Sequence, residues 1–86
     1  MKVITHKRHC IYFSDKEVRN IRRLCKIKGI SMIRLSEELG IERMSLWRKF
    51  ARRVPFYWLE LAKLDHLGVL WVESHEQLIK LKDAVQ

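Results

Sequence analysis

The sequence predicts an all-α domain: a core of four short helices, a short strand at each end of it, and one further helix last. Three observations predict it. Apolar residues recur at helical spacing through residues 14–67, interrupted at Gly29 and Gly40 and ended at Gly68, residues that allow the left-handed turn on which helices stop. Serines stand before three of the periodic stretches, at Ser14, Ser31 and Ser74, where a hydroxyl can accept from a backbone N–H that the first turn leaves free. Two short runs, Cys10–Phe13 and Val69–Val72, are strand-like in composition.

Residues 1–13 read as a basic arm that becomes a strand at Cys10-Ile11-Tyr12-Phe13. The helical core covers residues 14–68. Ser14-Asp15-Lys16-Glu17 has the S-x-x-E form of a capping box and opens a helix with Val18, Ile21 and Leu24/Cys25 on one face. Arg19, Arg22, Arg23 and Lys26 lie mostly on the rest of its circumference, and Gly29 stops it. Ser31 caps a second helix over Met32–Leu39, with Leu35 and Leu39 one turn apart, and Gly40 breaks it. A third helix is expected from about Glu42 to Arg52, with Leu46 and Phe50 turned inward. Pro55, whose fixed φ and missing N–H suit a first turn, is expected to open a fourth helix reaching Leu67. Its apolar residues include Leu59, Ala62 and the Leu61/Leu64 pair. Residues 69–86 add the strand Val69–Val72 and, after Ser74-x-x-Gln77, a last helix with Leu78, Leu81 and Val85 on one face. The two strands are expected to pair with each other or with their copies in a second subunit.

Length and charge narrow the function. Eighty-six residues suit one domain with a modest core, not an enzyme cleft plus a regulatory module. Net charge is +8, and it is segregated: residues 1–53 hold 15 Lys/Arg against 5 Asp/Glu, while residues 54–86 hold 3 against 5. Such segregation points to one surface for a polyanion and another for structure or self-association. No run reaches the roughly 18 apolar residues of a membrane span. The basic stretch Met1–His9 is not followed by an apolar signal core, and two cysteines, Cys10 and Cys25, fit a reducing compartment. A cytoplasmic protein is expected. No nucleophile–base pair, phosphate loop or carboxylate dyad is evident, so catalysis is not expected. His6, His9 and Cys10, even with Cys25 or His66, lack structural-zinc spacing, so no metal is expected either.

The informative stretch is Gly29–Phe50. Two short helices cross steeply only where the turn holds a residue free of Cβ constraint, here Gly40, and where a small residue, here Ser36, sits at the crossing. Leu35, Leu39, Ile41 and Leu46 then form the wedge between them. Arg43, Met44, Trp47 and Arg48 face away from it.

Leu35-Ser36-Glu37-Glu38-Leu39-Gly40-Ile41, preceded by Lys26-Ile27-Lys28-Gly29-Ile30-Ser31, resembles the helix-turn-helix of the Cro/lambda-repressor (XRE-like) family. That family's pattern is L-small-x-x-L-G-V after a KxxGLS lead-in. Leu59–Leu64, ending at Leu67-Gly68-Val69, resembles its following helix, and the likeness covers roughly residues 17–70. Glu42 stands where the family has Ser or Thr, and Lys49 where it has an apolar residue, with Phe50 taking over the packing. Ser45-Leu46-Trp47-Arg48-Lys49-Phe50 is closer to the ending of Fis-type helix-turn-helix domains.

The resemblance implies a lambda-repressor-like core and double-stranded DNA as the partner. It also implies a homodimeric transcriptional repressor of Cro-like or phage type, on a palindromic operator in a bacterial or phage-infected cell. No cofactor or small-molecule effector is implied. Base reading falls on Arg43, Met44 and Arg48, with Met32 at the start of the preceding helix; arginines pair with guanine and Met44 packs on a thymine methyl. Trp47 joins that face or packs on a neighbouring helix or the N-terminal segment. Phosphates are expected to meet Ser31, Arg34, Ser45, Lys49, Arg52 and Arg53, and also Lys26 and Lys28. The arm bearing Lys2, His6, Lys7, Arg8 and His9 is expected to lie along the backbone or minor groove. Val69, Leu70, Trp71 and Val72, with Leu78, Leu81 and Val85, form the expected dimer surface, and Phe56, Tyr57 and Trp58 belong to core or dimer interface. The alternatives are a protein-binding inhibitor or adaptor on the same scaffold, and RNA binding through the basic face.

Overall fold

Ser14 starts the first helix by a reciprocal pair of bonds: its Oγ accepts from the N–H of Glu17 (3.1 Å) while Glu17 Oε1 accepts from the N–H of Ser14 (2.8 Å). The computed structural model describes residues 10–73. Within them the chain forms β1 (Cys10–Ile11), α1 (Asp15–Ile27), α2 (Met32–Leu39), α3 (Arg43–Phe50), β2 (Phe56–Tyr57) and α4 (Trp58–His66). No helix among the described residues is long and apolar enough to cross a membrane. The expected last helix, and the arm of residues 1–9, lie outside the described residues.

All four described helices close in the same way. The N–H of the residue in the left-handed position returns to the carbonyl three residues back, and the next N–H to the carbonyl five back. Gly29 bonds Lys26 (3.1 Å) and Ile30 bonds Cys25 (2.8 Å); Gly40 bonds Glu37 (3.1 Å) and Ile41 bonds Ser36 (3.0 Å); Gly68 bonds Asp65 (2.9 Å) and Val69 bonds Leu64 (3.0 Å). These are the orphan carbonyls of a last turn, satisfied locally. At the end of α3 the same two bonds run from Arg52 to Lys49 (3.2 Å) and Arg53 to Arg48 (2.9 Å), so an arginine at φ +62° stands where the others have glycine.

The core joins every element. Phe13, Ile21, Cys25, Leu35, Leu46, Phe56, Leu61, Leu64 and Val69 are fully buried, with Ile11, Ile30, Leu39 and Val72 nearly so. Its aromatic centre is Phe56, whose ring lies 4.9 Å from that of Phe13 and 5.4 Å from that of Phe50, both tilted. Ile11 and Phe13 point inward and Tyr12 outward, the period-2 alternation of an extended segment.

Packing corrects three expectations. Cys10-Ile11 pairs with Phe56-Tyr57, antiparallel, Cys10 opposite Tyr57 and Ile11 opposite Phe56; it does not pair with Val69–Val72, which is not a strand. The N–H of Val69 is already committed to closing α4, and the side chains of Val69 and Val72 fill the core. Pro55 does not open the fourth helix. Burying Phe56 between Phe13 and Phe50 keeps residues 56–57 extended, and α4 begins at Trp58, with Glu60 Oε1 accepting from the N–H of Tyr57 (2.9 Å). Leu61 and Leu64 are the inward residues of α4, whereas Ala62 is exposed and Leu59 is 77% exposed. The third helix is also shorter than expected, with Glu42 extended before it and the left-handed Arg52 after it.

Glu17 ties the end of the described chain to its start. It is buried; besides accepting from Ser14, its Oε2 accepts from the N–H of Glu73 (2.9 Å), and Ser14 Oγ donates to Glu73 Oε2 (3.1 Å). The segment after α4 is thereby held beside the N-terminus of α1.

Candidate nucleic-acid interface

Ser31 Oγ accepts from the N–H of Arg34 (3.1 Å) to start α2, and Gly40 at φ +71° ends it. Ile41 and Glu42 complete the turn, and α3 starts at Arg43 without a side-chain cap from Glu42. Leu35, Leu39 and Leu46 are buried between the two helices and Ile41 is half-buried. Ser36 is buried with its Oγ donating to the carbonyl of Ile33 (2.6 Å), which keeps a polar group satisfied at the crossing.

With Leu46 inward, the opposite side of α3 is open. Arg43 and Arg48 are exposed, Met44 is 57% exposed and Trp47 52% exposed. Neither Arg43 nor Arg48 is in an ion pair among the described residues, whereas the neighbouring Arg52 reaches Asp15 (3.3 Å). Arg53 lies over the Trp47 ring, 5.1 Å from its centroid, so a guanidinium covers one face of the indole.

A cleft of about 420 Å³ separates α1 from α3 beside this face; Val18, Arg22, Met32, Arg43, Trp47 and Phe50 are among its lining residues. Arg22 and Met32 also line a shallower depression with Arg19, Arg23, Lys26 and Ser31. The two recesses share those residues, so the basic stripe of α1 runs into the exposed face of α3. Arg19, Arg22 and Arg23 were not among the expected contact residues. Their spacing with Lys26, three and four apart, is the signal that marks one helical face.

Lys49 is a correction. Expected among the phosphate ligands, it is buried, with its Nζ 3.0 Å from Glu60 Oε1, donating to the Pro55 carbonyl (2.8 Å) and 4.6 Å from the Tyr57 ring centroid. A buried cation needs an opposite charge and hydrogen bonding; Glu60 in the first turn of α4 supplies the charge and the Pro55 carbonyl of the preceding loop accepts a hydrogen bond. Of the other expected phosphate ligands, Lys26, Lys28, Ser31, Arg34 and Arg53 are exposed and Ser45 is half-buried, with Arg34 4.0 Å from Glu38.

The expected dimer surface is also corrected in part. Val69 and Val72 are buried in this chain's own core. Leu70 and Trp71 are half-buried, Lys16 Nζ lying 5.8 Å from the Trp71 ring centroid, and Leu78, Leu81 and Val85 lie outside the described residues. Cys25 is buried against the core, and burial raises its thiol above the ordinary value of 9.0, with Arg22 opposing. No family model, curated protein or solved structure matches this chain.

Proposed function

We propose that the chain is a sequence-specific double-stranded DNA-binding regulator in which α2 and α3 act as a helix-turn-helix, α3 entering the major groove. The reading rests on one observation: α3 turns Arg43, Met44, Trp47 and Arg48 outward together, with both arginines outside any ion pair among the described residues. Unpaired guanidiniums beside apolar side chains match a groove that offers guanine acceptors and thymine methyls. The stripe of Arg19, Arg22, Arg23 and Lys26 supports it by supplying cations for the flanking phosphates. So does the resemblance of residues 29–46 to the XRE-like pattern.

In this reading two copies occupy a pseudo-palindromic operator with their α3 helices about 34 Å apart, and repress or recruit from there. Neutralising six to ten phosphates makes affinity fall by about 10³ to 10⁵ between about 50 and 200 mM salt. The test is a fluorescence-anisotropy titration against random duplex DNA, RNA and heparin at two salt concentrations, followed by selection of bound duplexes. The expected result is a preference for duplex DNA and an enriched motif with two half-sites. Equal binding to heparin, or a preference for RNA, would sink the proposal.

A further inference from the structure

Met44 and Trp47 are three residues apart on α3, hence side by side on one helical face, and both are more than half exposed. Met32, the first residue of α2, lines the same cleft. Together they make an apolar strip, and its surroundings are cationic: Arg22 and Arg43 line the cleft, Arg48 follows Trp47 on α3, and Arg53 stacks on the indole. A thioether and an indole left in water beside four guanidiniums fit a polyanion that carries apolar groups between its charges.

Duplex DNA meets that description at one kind of atom. In the major groove the base edges present acceptors and amino donors throughout, and the apolar group among them is the C5-methyl of thymine. Cytosine has a hydrogen at the same ring position, and methylating it installs the same group there. We infer that the Met32–Met44–Trp47 strip reads pyrimidine C5-methyl groups, so that the protein selects thymine at the positions facing α3 and accepts 5-methylcytosine in the same place. The inference rests on the proposed entry of α3 into the major groove. It adds that the strip responds to the methyl group itself, and hence to a chemical modification of the base as well as to sequence.

The strip is two adjacent side chains on an eight-residue helix, with a third at its edge. The Arg53 side chain already covers one side of the Trp47 ring, which leaves its exposed part for an edge contact.

The experiment starts from the duplex enriched from a random pool. It is resynthesised with deoxyuridine in place of thymidine, and separately with 5-methylcytosine opposite guanine at those same positions, and each duplex is titrated against the wild type and M44A. Each uracil facing the strip is expected to weaken binding about fourfold, the transfer effect of one methyl-sized group. The 5-methylcytosine duplex is expected to bind more tightly than its unmethylated counterpart by a similar factor. M44A, a change at an exposed position, is expected to bind thymine and uracil duplexes alike while keeping its salt dependence. Equal wild-type binding to thymine and uracil duplexes overturns the methyl reading and leaves DNA binding standing, as does an enriched motif without thymine. Failure to enrich any duplex overturns both.

Discussion

Lys49 Nζ sits 3.0 Å from Glu60 Oε1, with the two side chains 7% and 12% exposed, and this pair fastens the end of α3 to the start of α4. Glu60 is at the same time the acceptor for the N–H of Tyr57, and Lys49 the donor to the carbonyl of Pro55. A position that reads as a surface cation on the DNA side is thus the strut that sets the angle of the loop between the helices. Removing the cation leaves a carboxylate with little water around it, so K49A is expected to cost about 3 kcal/mol. The double variant K49M/E60Q, which removes both charges, is expected to recover most of that loss. Urea unfolding of the single and double variants measures it. If Lys49 contacted phosphate instead, K49A would keep its stability and lose salt-dependent affinity.

Arg52 adopts φ +62° at the end of α3, a conformation that costs a residue with a Cβ about 1–2 kcal/mol. Glycine removes that strain but is looser in the unfolded chain by about 0.5–1 kcal/mol, and the bridge to Asp15 is exposed on both sides, where such pairs contribute little. R52G is therefore expected to stabilise the fold by up to about 1 kcal/mol while weakening DNA binding through loss of a cation. A destabilised R52G in thermal or urea unfolding would mean the Asp15 bridge outweighs the backbone strain.

Gly40 gives the converse case. A Cβ built there meets nothing within 4 Å, so alanine faces no steric conflict and only the backbone conformation opposes it, at φ +71°. G40A is expected to lose about 1 kcal/mol, and G40N less, since asparagine tolerates the left-handed region better. A loss several times larger would indicate that the angle between α2 and α3 had changed, which heteronuclear NMR shifts at Leu35 and Leu46 would register.

Arg43 and Arg23 are expected to behave differently toward DNA. R43A is expected to relax selectivity at one base pair, costing about 1–3 kcal/mol there. R23A, on the basic stripe of α1, is expected to weaken all sequences alike and lower the salt slope by about one. Titrations of both variants against the selected duplex and a scrambled one, at several salt concentrations, separate these outcomes. Indistinguishable variants would mean α3 does not face the bases.

Cys25 makes stability depend on pH in the alkaline range. Burial raises its thiol above 9.0, so the folded chain holds a proton that the unfolded chain releases. Its contribution is fully present below the unfolded value and is lost as pH rises through that value toward the folded one. As pH is raised through 9.0, wild type is expected to lose more unfolding free energy than C25A. Parallel curves would count against the thiol. Slow reaction of Cys25 with a thiol reagent in the folded state is expected for the same reason.

The sequence by itself determined where α1 and α2 begin, the glycine stops of α1, α2 and α4, and the turn at Leu39-Gly40-Ile41. The capping serines Ser14 and Ser31 bond within three residues of themselves, and the glycine stops return to carbonyls three to five residues back. Bonds of such short range are written in a few contiguous residues and need no distant partner. The outward set of Arg43, Met44, Trp47 and Arg48 was legible for the same reason, because helical spacing orients a face once Leu46 is known to point inward. The tertiary structure alone decided what depends on residues far apart in the chain. Phe13 and Phe56 meet 43 positions apart and draw β1 onto β2, Val69 and Val72 fill the core and not a second subunit's, and Lys49 turns inward because Glu60 and the Pro55 carbonyl converge on it. A lysine carries the same charge in either setting; only the packing around it determines whether that charge faces a phosphate or a buried carboxylate.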